Sequence, residues 1–443
     1  MATRPEKYLV ETYGCQMNYH DGERISGLLE ASGYAPAASE ADADLIVVNT
    51  CSVRELAVHK LRSRLGEIRT TAADQGRTQP MIAVTGCVAQ QEGDRLFAGG
   101  APIDVVVGTQ AIKQLPALLA KSREDHQKRV DVNPYEDVAF PLGMAKPTDS
   151  VRAWVTIIEG CNEFCSFCVV PYTRGHERMR PVADILAEVR EAARTGHREV
   201  QLLGQIVNHY QAPDESCDFG ELLERVHAVD GIDRIRFASP HPRHVTPRLI
   251  ASIRDLPKVA KQLHLPVQSG SNRILTAMRR RYTREGYLDQ VAQMRAEIPG
   301  IGLSTDVIVG FPGETDEDFA LTLDLVRRAR FHSMYSFKYS PRPNTLAIKR
   351  MPDDVTEGQK RERIVALQDL QLTIQAELYG GMVGEIESVL VDATSRRRAW
   401  QLSGRTSGNL VVNFEGPSEL IGTFVPVRIV EAAPYSLRGE RVD

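Results

Sequence analysis

The sequence has 443 residues, more than a single hydrophobic core holds, so two or three domains are expected. With 42% hydrophobic and 25% charged residues it reads as a globular protein, which excludes a disordered or fibrous chain. A net charge of −4 argues against a uniformly basic nucleic-acid binder. No apolar run reaches the length of a signal peptide or a membrane span, so the expected setting is the cytoplasm, with no membrane partner. Seven cysteines in that reducing compartment suggest metal binding or chemistry before disulfides.

From the N-terminus to residue 122 short apolar runs alternate with polar, helix-like stretches. The runs "YLVETYG", "DLIVVNT", "MIAVTG" and "IDVVVGT" are rich in Val and Ile and too short for helices. They suit buried parallel strands of an open α/β sheet, a first domain over residues 6–122. Residues 123–146 contain several prolines and no sustained period, and are expected as a linker.

A second domain is expected over residues 147–379. Strand-like runs "AWVTIIEG", "EVQLLG", "IRFAS", "LHLPV", "LSTDVIVG" and "MYSFKYS" alternate there with helical stretches. Six β/α units of this length fit a partial (β/α)6 barrel. Its last helix presents Ile364, Leu367, Leu370, Ile374 and Leu378 on one face and ends at Gly380-Gly381. Residues 380–441 read as short alternating strands separated by Gly, Pro, Ser and Asn, a small C-terminal antiparallel β-barrel.

Charge is unevenly distributed along this plan. Residues 234–284 hold twelve Lys and Arg against the single acid Asp255, so the block carries +11 and leaves −15 elsewhere. Such asymmetry suits a phosphate-binding face, although a solvated basic surface gives the same count. The block ends in "MRRRYTREGY", where arginine is interleaved with tyrosine, a mix suited to phosphates and unstacked bases. Arg279, Arg280, Arg281, Tyr282 and Arg284 are therefore RNA-contact candidates, as are Arg396, Arg397 and Arg398 of the last domain.

The cysteines fall into two sets of three. Cys161, Cys165 and Cys168 lie in "GCNEFCSFC", on the loop after the first strand of the expected barrel, the end that carries active sites in such folds. Three thiolates at C-x3-C-x2-C spacing fit one cubane iron–sulfur cluster and leave its fourth iron open to a ligand. A zinc site completed by His176 is the alternative, but zinc loops usually pair two C-x-x-C knuckles and no second knuckle is present. Cys15, Cys51 and Cys87 are spaced 36 residues apart, each directly after an apolar run. In an open parallel sheet the loops after the strands converge on one edge, so these three are expected to meet there and hold a second cluster with an open iron. Cys217 has no such partners.

The C-x3-C-x2-C loop with Phe167 before its last cysteine resembles the radical S-adenosylmethionine signature. The motifs "TYGCQMNYHDGE", "NTCSVRELAVHK", "GCNEFCSFCVVPYTRG", "HLPVQSGSNRILTAMRRRYTR" and "DVIVGFPGETDEDF" resemble the methylthiotransferases of that superfamily over essentially the whole chain. Within them, Gln16-Met17-Asn18 after the first cysteine is similar to the MiaB-type tRNA branch. The ribosomal-protein branch typically has Pro-Lys-Asn there and the threonylcarbamoyl-adenosine branch Lys-Val-Asn.

The resemblance implies two 4Fe–4S clusters, at Cys15/Cys51/Cys87 and at Cys161/Cys165/Cys168, whose open irons face one cavity. It implies S-adenosylmethionine twice per turnover, as methyl donor and as source of the deoxyadenosyl radical. The substrate is then N6-isopentenyladenosine beside the tRNA anticodon, whose C2–H becomes C2–SCH3. Phe167, Gly204, Gln205, Gln268, Ser269 and Gly310 are the implied S-adenosylmethionine contacts, with Arg174 and Gly175 closing the pocket. Ile206 departs from the family, which usually has Asn there. The last domain resembles the TRAM RNA-binding barrel. Implied partners are tRNA, an electron donor such as a flavodoxin or ferredoxin, and a sulfur or cluster donor, with the chain acting as a monomer. Action on a ribosomal protein side chain or on threonylcarbamoyl-adenosine tRNA, or a non-catalytic iron–sulfur RNA-binding role, are the competing readings. A pure electron carrier would usually close its clusters with four cysteines.

Overall fold

The computed structural model describes residues 4–52, 55–74, 76, 78–135, 142–395, 398 and 400–442. The chain divides into two units. One comprises Met1–Thr148, Glu159–Asn162 and Cys168–Arg178, the other Asp149–Ile158, Glu163–Phe167 and Met179–Asp443.

The first unit runs β1 (Lys7–Tyr13), α1 (Gln16–Ala31), β2 (Ala35–Pro36), β3 (Leu45–Thr50), α2 (Glu55–Asp74), β4 (Met81–Gly86), α3 (Cys87–Glu92), β5 (Val105–Val107), α4 (Leu115–Asp125) and β6 (Arg129–Asp131). Its six parallel strands lie in the order β2-β1-β3-β4-β5-β6. Alternate residues of each strand feed opposite faces, so the sheet needs apolar cover on both. Val47, Ala83 and Val105 pack with Ile25, Leu29 and Leu115, while Ile46, Ile82 and Val106 pack with Leu61 and Ile68. Each fully buried Val, Leu or Ile contributes about 1.5–3 kcal/mol. Register does the rest: Tyr13 pairs with Thr50 and Thr50 with Gly86, so three strands end level.

The expected linker is corrected in part. Helix α4 runs into it and β6 pairs with β5 from within it, as an edge strand of three residues too short to show a period. Val130 on that edge is exposed, so no apolar signal marks it.

In the second unit β7 (Arg152–Thr156) opens the barrel. The elements β8 (Ile158–Glu159), α5 (Val170–Thr173) and β9 (Arg178–Met179) bracket the cysteine loop. Then follow α6 (Val182–Arg194), β10 (Glu199–Leu203), α7 (Phe219–His227), β11 (Arg234–Phe237), α8 (Pro247–Asp255), β12 (Gln262–His264), α9 (Asn272–Ala277), α10 (Arg284–Glu297), β13 (Gly302–Val309), α11 (Asp316–Ala329), β14 (Ser333–Lys338), α12 (Leu346–Arg350) and α13 (Glu357–Gly380). Two parallel three-stranded sheets, β11-β10-β7 and β12-β13-β14, are joined by the bridge Ile235–Val259 into a six-stranded partial barrel. Val155, Leu202, Ile235, Leu263 and Val307 pack in the core of this unit, with Leu367 and Ile374 of α13. The opposite face of β12, β13 and β14 is polar and aromatic. His264 contacts Ser304 (3.0 Å) and Asp306 (3.3 Å), and its ring stands edge-on to exposed Tyr335.

The strands β15 (Ile386–Thr394), β16 (Gln401–Arg405), β17 (Val411–Glu415), β18 (Phe424–Ala433) and β19 (Ser436–Arg441) close a small barrel. It is fastened to the central domain by part of the basic block. Buried Arg234 donates to Arg405 O (2.7 Å), and buried Arg236 donates to Thr406 O (2.7 Å), Ser407 O (3.2 Å) and Glu199 Oε2 (3.0 Å). A Cβ on Gly302 would lie 2.4 Å from Gly408 O, so only glycine lets the 406–408 loop seat against the start of β13. The block is thus not one continuous phosphate face. A charge count is blind to which side a strand residue faces, and these two arginines satisfy buried carbonyls instead.

Candidate active site: two sets of three cysteines

The first set grows directly out of the level strand ends. Gly14 precedes Cys15 with φ +141°, and a Cβ on it would sit 2.2 Å from Cys51 Cβ. Gly86 precedes Cys87 with φ +89°, where a Cβ would sit 2.4 Å from Asn49 Oδ1. Glycine at both places is what lets three loops close on one another. Two buried asparagines tie them: Asn49 Nδ2 donates to Asn18 O (2.7 Å), and Asn18 Nδ2 donates to Asn49 Oδ1 and Thr50 O (3.2 Å each).

The Cys51 thiol lies within hydrogen-bonding reach of both Cys15 and Cys87, holding both below the usual thiol range while its own pKa is driven up. The nearby Arg174 guanidinium lowers Cys15 and Cys87 further. Arg174 is itself buried against Asp21 at 2.5 Å. Cys15 and Cys87, favoured as thiolates on either side of Cys51 and beside a fixed cation, have the chemistry of metal-ligating sulfurs.

The second set sits on one loop. Its neck is tight: Gly160 has φ +82°, a Cβ there would lie 2.1 Å from His176 O, and Cys161 N donates to Gly175 O. The His176 ring faces Asn162 Oδ1 (3.1 Å). The arm after Cys168 is docked within the first unit. Thr109 donates to Thr173 O, Gln110 donates to Arg174 O (2.9 Å), and Arg174 reaches Asp21.

The middle of the loop is held within the second unit. Buried Glu163 meets His244 (3.0 Å), Arg243 (3.2 Å) and Arg281 (3.4 Å). Ser166 N donates to Met278 O and Ser166 Oγ to Ala277 O, and Ala347 N donates to Ser166 O. Arg280 donates to Cys165 Sγ at 3.4 Å.

Known proteins match this layout end to end. Residues 7–108 match the family described as uncharacterized protein family UPF0004, residues 155–326 the Radical SAM superfamily, and residues 381–442 the TRAM domain. The tRNA-2-methylthio-N(6)-dimethylallyladenosine synthase of Methylococcus capsulatus is 45% identical, over 99% of this chain and 96% of its own length. That of Thiobacillus denitrificans is 45% identical over 99% and 98%, and that of Thermoanaerobacter pseudethanolicus 42% over 98% and 93%. The chain belongs to this family of radical S-adenosylmethionine tRNA methylthiotransferases. In fold it is similar to the radical S-adenosylmethionine methyltransferase TsrM of Kitasatospora setae, with a TM-score of 0.55 at 14% identity, covering 87% of this chain and 77% of that one. Membership in the radical S-adenosylmethionine superfamily implies S-adenosylmethionine and a 4Fe–4S cluster.

For such an enzyme the barrel residues divide into two groups. Gln205 Oε1 is buried with no hydrogen-bond partner among the described residues, an orphaned acceptor suited to a ligand's ammonium group. Gly204 is buried against Ile158 and Val207, and Ile206 is a buried apolar side chain. Gln268 takes φ +69° and bonds β13 through its backbone N–H and C=O, and buried Ser269 accepts from Ser271 N. Gly310 and Phe167 are explained by packing. A Cβ on Gly310 would lie 2.3 Å from Lys360 Cγ, and Phe167 packs beside Ile274, Met278 and Phe311.

The RNA candidates divide as well. Arg279 and Arg281 are exposed, as is Arg398. Arg280 is buried and Tyr282 turns its hydroxyl to Val267 O, which corrects their assignment to an RNA face. Arg284 is largely covered and paired with Asp324. Arg396 and Arg397 lie outside the described residues. Sequence reasoning missed Glu163, Asp21 and the two asparagines as parts of the site. The signal was present in "NYHDGER", a run in α1 whose Asn18, His20, Asp21, Glu23 and Arg24 are all buried, too polar for any core without a special purpose.

Proposed function

We propose that the chain converts N6-isopentenyladenosine, the dimethylallyladenosine of its relatives' name, beside a tRNA anticodon to its 2-methylthio derivative. The observation that carries this reading is the end-to-end match, at 45% identity, to synthases named for that product, in a chain that carries two sets of three cysteines. When bound, S-adenosylmethionine and the clusters supply the radical that removes the C2 hydrogen and the methylated sulfur that replaces it.

The chain's own residues hold and orient these groups. Cys161, Cys165 and Cys168 hold one cluster and Cys15, Cys51 and Cys87 a second, with Asn18, Asn49 and the Arg174–Asp21 pair fixing the latter set. Gln205, with Gly204, Gln268 and Ser269, receives S-adenosylmethionine, two molecules of which are used per turnover. Within the second unit His264, Asp306 and Tyr335 offer a polar and aromatic face to a base turned out of its stack. Exposed Arg279, Arg281 and Arg398 meet tRNA phosphates. A flavodoxin or ferredoxin supplies electrons, a separate sulfur or cluster donor renews the sulfur, and the protein works as a cytoplasmic monomer. The sheet domain that ends with β6, the barrel of residues 147–379 and the small barrel of residues 380–441 are its functional divisions.

Nucleoside mass spectrometry of tRNA from cells lacking the protein tests the reading. Accumulation of isopentenyladenosine with loss of its methylthio derivative is expected, and an unchanged profile overturns it.

A further inference from the structure

The turn from Met278 to Tyr282 is basic enough to suggest RNA, yet its middle arginine points into the protein. Arg279 and Arg281 both take φ +58°, a left-handed conformation disfavoured for side chains of their size. Between them Arg280 is buried and its guanidinium is fixed on three sides. Nε donates to Tyr282 Oη (2.9 Å), Nη2 to Pro266 O (3.0 Å) and Nη1 to Cys165 Sγ (3.4 Å). Tyr282 is held in turn by Val267 O (2.8 Å) and by the edge-on ring of His241. Among the described residues no carboxylate pairs with Arg280. A buried cation so placed calls for a negative partner, and the group it touches is the middle cysteine of the loop.

We propose that Arg280 tunes the redox potential of the cluster held by Cys161, Cys165 and Cys168, by donating an N–H···S hydrogen bond to the Cys165 thiolate. This rests on the reading that those cysteines carry a four-iron cluster. One-electron reduction adds a negative charge and no proton, with the electron coming from a flavodoxin- or ferredoxin-class reductant, or from dithionite in the test. A hydrogen bond and a fixed positive charge at the ligating sulfur stabilise the reduced form and raise the midpoint potential. Arg280 acts through the cluster and is a positioning residue.

The test is an anaerobic redox titration followed by electron paramagnetic resonance. It uses the full chain carrying Cys15→Ala, Cys51→Ala and Cys87→Ala, so that one cluster is observed, with Arg280→Gln and Arg280→Lys in that background. The expected result is unchanged iron content and a midpoint shifted to more negative potential, further in the glutamine than in the lysine variant. An unmoved midpoint in an iron-replete variant overturns the proposal, and if the glutamine variant loses its iron the lysine variant decides. Loss of iron from both makes Arg280 structural and equally overturns it. A background protein without iron overturns the cluster reading itself, and the proposal with it.

Discussion

Cys15, Cys51 and Cys87 come from three strand ends 36 residues apart, whereas Cys161, Cys165 and Cys168 share one loop, and the two arrangements store their order in different places. The first set is a product of tertiary structure. It depends on sheet register, on two glycines with no room for a Cβ, and on asparagines that bond across loops. The second set is local in sequence, and order reaches it from outside, through Glu163, Ser166 and the arginine turn. A site of the first kind fails when the fold around it is disturbed, and one of the second kind fails when its clamps are removed.

Asp21→Asn gives the largest effect that separates the two. It leaves Arg174 buried and unpaired, a change that costs about 3–5 kcal/mol. Denaturant unfolding of the first unit shifts accordingly, and iron is lost from the first set while the loop set keeps its own. Equal loss from both sets would break the comparison. Gly14→Ala follows: the added Cβ meets Cys51 at 2.2 Å under a positive φ, with an expected cost of about 2–4 kcal/mol and the same selective iron loss.

Acid separates the units in another way. Asp318 closes the capping box of α11 with Thr315 and also receives hydrogen bonds from Arg273 and Ser271. Burial pushes its carboxyl up, but those bonds outweigh burial and hold it at about 2, below the ordinary 3.8. A depressed folded-state value stabilises the protein above the unfolded value, and that contribution disappears as pH falls from about 4 to 2. Asp318→Asn therefore lowers the stability of the second unit by about 1–2 kcal/mol at neutral pH and flattens its acid-unfolding curve in that window. Urea titrations at pH 7 and pH 3 check it.

The smallest effect is on RNA. Arg279→Ala removes an exposed cation, lowers tRNA affinity about two- to five-fold and reduces the salt slope by about one, in a filter-binding or anisotropy series.

The architecture was legible where period and composition speak plainly. Val and Ile runs marked the parallel strands, and the face Leu367–Ile374 marked α13. The two cysteine sets stood out in the sequence because their spacing is a covalent fact. What stayed hidden depends on orientation. Arg280 and Arg281 are neighbours of the same type, yet one is buried on Cys165 and the other exposed, and the left-handed turn that sorts them leaves no mark in a basic run without glycine. Arg234 and Arg236 likewise read as surface charge until the barrel carbonyls they satisfy are seen. Strand β6 was invisible because three residues at an edge bury too little to impose a pattern.

The most direct measurement is iron and acid-labile sulfide per chain after anaerobic reconstitution, for the parent and for the variant carrying Cys15→Ala, Cys51→Ala and Cys87→Ala. Two four-iron clusters require about eight irons falling to about four. About four in both proteins would mean that the N-terminal cysteines hold no cluster, and would contradict the account of two open three-cysteine sites.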